Sequence, residues 1–197
     1  MKVLVTGFVP FNKGEFNPAE TAVTQMKAPP GVEVDKIASL PVSFAEAANM
    51  VVRRFLETRP DAVVMVGLAG GREGISVERV ALNLADATIP DNDGRQPEDE
   101  TVDRSGPTAI LSTAPVKHIV AALREEGISA CVSLTAGTFV CNHVYYTLLR
   151  TVQLHMLPTR VVFIHVPYAD HQRAAEHSPH MSMDLITRAV EIAVANV

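Results

Sequence analysis

The residues predict an α/β protein, a three-layer α/β/α sandwich with a mostly parallel sheet between helices. Two observations carry this. Short apolar runs of strand length at 2–6, 61–67 and 160–166 alternate too little for a sheet with one wet face and suit strands buried on both sides. Segments with helical apolar spacing at 44–56 and 116–126 fall between such runs, as βαβ units require.

Taken in order, residues 2–6 form a strand that ends at Gly7, and Asn17-Pro18-Ala19-Glu20 has the form of a helix start. Residues 32–40 read as a second strand, 44–56 as a helix and 61–67 as a buried strand. Residues 75–84 look extended, and 85–107, rich in Asp, Pro, Gly and Asn, is expected to be a long ordered excursion. A short strand at 109–113 precedes an amphipathic helix at 116–126 that stops at Gly127. A strand at 129–135, a turn at 136–138 and a helix at 140–156 follow, then a buried strand at 160–166 and a last helix at 183–195. Nothing repeats and no linker interrupts the chain, so residues 1–197 are read as one domain.

The 197 residues are 47% hydrophobic and 20% charged, with 11 Gly and 13 Pro, the composition of a globular chain able to bury a sizeable core. A net charge of −5 with 17 scattered Lys and Arg gives no attraction toward polyanions, so no nucleic-acid partner is expected. No apolar run approaches the roughly 20 residues of a membrane span, and the opening residues are too short for a signal-peptide core. A cytoplasmic protein is expected. Its two cysteines, Cys131 and Cys141, then read as free thiols.

Ligand crevices of open α/β sheets lie beyond the carboxyl ends of the strands, which directs attention to the residues there. Cys141 opens a helix just after a strand and turn, where free backbone amides and the helix dipole are expected to lower a thiol pKa. The other reading of Cys141 is a small buried hydrophobe, and Cys131, in mid-strand, is assigned to packing. His165, near the end of the strand at 160–166, is placed to take the thiol proton and later to protonate a leaving amine. Glu78 is a carboxylate inside an apolar stretch. It either orients His165, pairs locally with Arg79 or lies on a solvated strand face, and spacing alone favours the last two. His165, His171, His177 and His180 match no standard zinc spacing, so no metal is expected and 171–180 reads as a solvated loop. The Gly70-Gly71 pair suits a tight turn that brings amides to a substrate oxygen. Phe8, Phe11 and Phe16 in the loop after the first strand, with Phe139 before the cysteine, are suited to sandwich a flat uncharged ring.

At these residues the sequence resembles the pyroglutamyl peptidase I family of cysteine peptidases. The resemblance rests on Thr6-Gly7-Phe8-Val9-Pro10-Phe11, Gly70-Gly71-Arg72, Glu78-Arg79-Val80-Ala81, Ile89-Pro90-Asp91-Asn92, Ala136-Gly137-Thr138-Phe139-Val140-Cys141-Asn142 and Phe163-Ile164-His165-Val166-Pro167-Tyr168. It implies removal of an N-terminal pyroglutamate through a thioester, with Cys141 as nucleophile, His165 as general base and acid, and Glu78 as orienting acid. It also implies an uncharged pocket, for which Phe8, Phe11, Phe16, Asn17, Leu68 and Phe139 are the expected binding residues. No cofactor beyond a reduced thiol is expected, and a homo-oligomer, commonly a tetramer, is implied.

The chain departs from the family pattern at Leu68, commonly Gln, at Thr88, commonly Arg, and at Asn12-Lys13, commonly Gly-Gly. These departures motivate two alternatives: a cysteine amidase with a shifted substrate, or a non-catalytic peptide-binding relative.

Overall fold

The computed structural model describes residues 1–12, 14–172 and 177–197. Its strands are β1 (Lys2–Phe8), β2 (Glu33–Leu40), β3 (Ala62–Leu68), β4 (Ile75–Glu78), β5 (Val80–Leu82), β6 (Ala109–Leu111), β7 (Ala130–Ser133), β8 (Arg160–Val166), β9 (Tyr168–Ala169) and β10 (His180–Met181). Its helices are α1 (Pro18–Gln25), α2 (Glu46–Thr58), α3 (Val116–Glu125), α4 (Val140–Leu154) and α5 (Met183–Asn196).

Six strands form the central sheet in the order β2-β1-β3-β8-β4-β7. The first four run parallel. β4 runs antiparallel to β8 and parallel to β7, so two strands oppose the rest and the sheet is mostly parallel. The central strands are apolar along their whole length because helices cover both faces. On one face α1, α3 and α5 pack Ala22, Ile119 and Val190 against Val5, Val64 and Ile164. On the other, α2 and α4 pack Val51, Phe55, Val144 and Leu148 against Leu4, Met65 and Phe163.

Local chemistry explains the element ends. Asn17 caps α1, its Oδ1 accepting from the Ala19 amide at 3.0 Å, and Ser182 caps α5 by accepting from Leu185 at 3.3 Å. Gly7 lets β1 approach α1, since a methyl group there would lie 2.7 Å from the Ala19 carbonyl oxygen. The expected ordered excursion is built on polar side chains. The buried Asp91 accepts from the amides of Phe44, Asp93 and Arg95, while Asn83 and Asp103 exchange hydrogen bonds at 2.8 Å. Tyr146 donates to the Pro107 carbonyl at 2.7 Å, tying the far end of this segment to α4.

Three expectations are corrected. The extended stretch 75–84 divides into β4 in the main sheet and β5, which pairs with β6 in a separate two-stranded ribbon. Cys131 is not packed away. It is exposed, because β7 is an edge strand, and its sulfur lies 3.9 Å from Ser76 Oγ. The segment 171–180 is not all loop, since His180–Met181 pairs with Tyr168–Ala169; residues 173–176 lie outside the described residues.

Candidate active site

The ends of β3 and β8, the turn after β3 and the start of α4 enclose a cavity of about 250 Å³. Its wall contains Phe8, Phe11, Leu68, Phe139, Cys141 and His165, as well as Asn17 and Arg72. Cys141 and His165, far apart in sequence, thus face one space. Their approach depends on Gly67, which is paired with His165 across β3 and β8. A methyl group at 67 would lie 3.0 Å from the Cys141 sulfur and 2.9 Å from the Phe163 ring.

The first turn of α4 is anchored by the residue after the cysteine. The fully buried Asn142 accepts from the Leu82 amide at 2.8 Å and donates to the Leu82 and Leu84 carbonyls, each at 2.9 Å. One turn on, Tyr145 donates to the Glu78 carbonyl at 3.0 Å, which fixes α4 against β4. No side chain caps the N-terminus of α4, so its first amides are left for other acceptors.

Glu78 is fully buried. Its Oε1 is 2.8 Å from His165 Nδ1 and also accepts from Arg72 Nη1 at 2.7 Å. This places the second imidazole nitrogen, Nε2, as the one left for the cavity. The local partner considered from sequence, Arg79, is not the one used: the guanidinium comes from Arg72, which the turn at Gly70-Gly71 brings around. Gly71 has a φ of 85°, and Gly70 lies so close under the Tyr168 ring that any side chain there would collide with it. The signal for Arg72 was present in the Gly-Gly-Arg motif and in the need of a buried carboxylate for a cation.

Burial pushes the Cys141 thiol up to about 12; the Glu78 carboxylate pushes the same way, while Cys141's own amide and Arg72 oppose them. Desolvation of the thiolate thus works against the lowering expected from the helix terminus. Burial likewise holds His165 below its ordinary value of 6.5, against the raising effect of its hydrogen bond to Glu78. Both shifts favour the uncharged forms, a thiol beside a neutral imidazole.

The aromatic side chains at the cavity form two groups of rings in contact. Phe139 meets Phe11 at 6.2 Å and Phe44 edge-on at 5.4 Å, and Phe8 lies 6.4 Å from Phe163, whose ring is 4.7 Å from His165. Phe16 is not on this wall. Its chain has already turned toward α1, and its ring packs with the core on the opposite face of the sheet, edge-on to His171 at 4.5 Å. Asn17 lines the cavity, but its amide is engaged, Nδ2 donating to the Val9 carbonyl at 3.0 Å while Oδ1 caps α1. Of the departures from the family pattern, Leu68 is on the wall, Thr88 is exposed and not part of it, and Lys13 lies outside the described residues. Among the described residues no three His, Cys, Asp or Glu side chains converge as a metal site would require.

Comparison with known proteins agrees with this geometry. The chain is 46% identical over 198 residues to a pyrrolidone-carboxylate peptidase of Thermococcus kodakarensis, covering all of this chain and 96% of that protein. It is 42% identical to that of Bacillus subtilis, covering 98% and 90%. The crystal structure of pyroglutamyl peptidase I from Bacillus amyloliquefaciens matches with a TM-score of 0.94 at 40% identity, covering 99% of this chain and 95% of that one. A family model for pyroglutamyl peptidase matches residues 1–197, and the chain belongs to that family.

Proposed function

We propose that this protein is a cysteine exopeptidase that removes pyroglutamate from the N-terminus of peptides. The observation that carries the reading is a cavity walled by Phe8, Phe11, Val42, Leu68 and Phe139 that holds a thiol, an imidazole and the Arg72 guanidinium but, among the described residues, no carboxylate. A peptide with a free N-terminal ammonium would be desolvated there without a counter-ion, whereas the lactam of pyroglutamate carries no charge. The flat ring suits the aromatic wall.

In the proposed mechanism Cys141 is the nucleophile, His165 the general base and acid, and Glu78 the group that orients His165. The thiol proton passes to Nε2 of His165 as the sulfur bonds to the carbonyl carbon that joins pyroglutamate to the next residue. The free amides at the start of α4 are the donors best placed for the developing oxyanion. Collapse breaks the C–N bond, the imidazolium gives its proton to the departing amine, and a thioester remains. Water, deprotonated by His165, attacks the thioester, releasing pyroglutamate and restoring the thiol. No metal or organic cofactor takes part in these steps.

The setting proposed is the reducing cytoplasm, supported by two free thiols; among the described residues no helix is long and apolar enough to cross a membrane. A homotetramer is the proposed assembly, supported by the family resemblance and by the exposed Leu111, Leu154 and Met156. Sedimentation that finds only monomer at assay concentrations would refute it.

The activity is tested with a panel of aminoacyl amides under reducing conditions. Hydrolysis of the L-pyroglutamyl amide, with prolyl and glutaminyl amides left intact, is expected. Equal turnover of the prolyl amide, whose ring carries a charged amine, would overturn the reading of the pocket.

A further inference from the structure

Arg72 has no role in the chemistry above, yet it is the one permanently charged side chain on the cavity wall among the described residues. Its guanidinium makes three contacts. Nη1 donates to Glu78 Oε1 at 2.7 Å and to Ser133 Oγ at 3.2 Å, and Nη2 donates to the Thr135 carbonyl at 3.1 Å. The first contact shares the single carboxylate oxygen that also meets His165. The other two hold the end of β7, where the chain turns through 136–138 into α4, whose second residue is Cys141. Ser133 itself donates to Thr135, and Thr135 Oγ1 accepts from the Gly137 amide, which extends the connection toward the nucleophile.

We propose that Arg72 is a positioning residue that clamps Glu78 against His165 and, through the same guanidinium, holds the Cys141 loop in place relative to that pair. This rests on the catalytic roles proposed above. The geometry calls for a planar fork, because three acceptors from two strands and a loop surround the group, and a single ammonium cannot meet all three with the same directions. The charge has a second effect. Among the described residues, the charged and titratable groups that face His165 are Glu78 from β4, Arg72 from the turn after β3 and Cys141 from α4. A permanent cation on the oxygen shared with His165 disfavours the imidazolium, so the base stays neutral and able to accept a proton. The same cation favours the thiolate of Cys141.

The test uses Arg72→Gln and Arg72→Lys in a Cys131→Ser background, so that alkylation reports Cys141 alone. Two pH profiles are measured: kcat/KM on an L-pyroglutamyl amide, and iodoacetamide alkylation in the absence of substrate. Arg72→Gln is expected to lower kcat/KM at neutral pH by roughly 10- to 100-fold, mostly in kcat. Its acid limb should move to higher pH, and its alkylation at any given pH should slow. Arg72→Lys should return the acid limb toward the parent position while kcat stays reduced, because charge is restored and the fork is not. A loss of activity in Arg72→Gln with both profiles unchanged in shape would assign Arg72 a purely structural role and overturn the proposal, as would full activity. Should the parent not hydrolyse pyroglutamyl amides, the substrate assignment fails separately. The alkylation profiles then decide: a slowed, displaced profile in Arg72→Gln supports the clamp, and an unchanged one overturns it.

Discussion

Replacing Glu78 by Gln removes one charge from the centre of the site with almost no change of shape. The carboxylate is fully buried, and one of its oxygens serves both His165 and Arg72 at 2.8 and 2.7 Å. A glutamine carbonyl oxygen can still accept from both, and the added NH2 would occupy the side of Oε2, which has no hydrogen-bond partner among the described residues. What is lost is the charge that stabilises the imidazolium formed when His165 takes the thiol proton. By comparison with removal of the orienting acid's charge in serine-type triads, kcat should fall by roughly 10²- to 10⁴-fold, or about 3–5 kcal/mol of transition-state stabilisation. The sign on the pH profile is also determined. Glu78 raises His165, so its neutralisation drops that group further and the acid limb of kcat/KM moves to lower pH. This is the opposite direction from Arg72→Gln. Folding should weaken by about 1–3 kcal/mol, the worth of a charge-assisted hydrogen bond, or roughly 2–12 °C in Tm for a chain of this size. The assay is kcat/KM against pH beside a thermal melt. Activity within about threefold of the parent, or an acid limb that moves upward, would refute the assignment of Glu78 as the orienting acid.

Other outcomes follow from the same geometry. With the Cys141 thiol pushed up to about 12, inactivation by iodoacetamide should keep climbing about tenfold per pH unit through about pH 9; a plateau below about pH 7 would instead reveal a preformed thiolate–imidazolium pair. Gly67→Ala places a methyl group on the Cys141 sulfur and the Phe163 ring. It should cost about 1–3 kcal/mol of stability and roughly 10- to 100-fold in kcat/KM, and unchanged turnover would contradict the packing described. His143 is held down to about 4, chiefly by burial and secondarily by Arg95. A base whose folded pKa lies below its unfolded 6.5 supports the fold above that pH and loses the contribution as pH falls toward 4, because the unfolded chain takes up the proton first. The loss is roughly 3 kcal/mol, so Tm should drop by about 6–12 °C more in the parent than in His143→Phe between neutral pH and about pH 4. Equal drops would refute it.

Much of the layered fold was legible because continuous apolar runs and 3.6-residue periodicity directly record burial on two faces or one. Arg160–Val166 has the bounds expected from its residues, and the long polar excursion is ordered as its Asp and Asn content implied. Strand direction was not legible, since apolar periodicity is the same read either way, and β4 and β7 oppose the other strands. Exposure of Cys131 follows from β7 being at the edge, which depends on sheet order and not on local sequence. In the site, His165 and Cys141 were found by their positions at element ends. Glu78 stands out by its incongruity in an apolar stretch, but spacing alone favours a local pair with Arg79 or a solvated strand face, and only the family resemblance points to the orienting role. The true partner, Arg72, reaches Glu78 only because Gly71 adopts a positive φ and folds the chain back. Phe16 was misplaced for a related reason: one loop can send neighbouring aromatic rings to opposite faces of a sheet.

The most direct test of the account is release of a fluorescent amine from an L-pyroglutamyl amide under reducing conditions, comparing the parent chain with Cys141→Ser. Turnover by the parent should fall to background in Cys141→Ser while the melting temperature is retained. No turnover by the parent, or turnover that persists in Cys141→Ser, would contradict it.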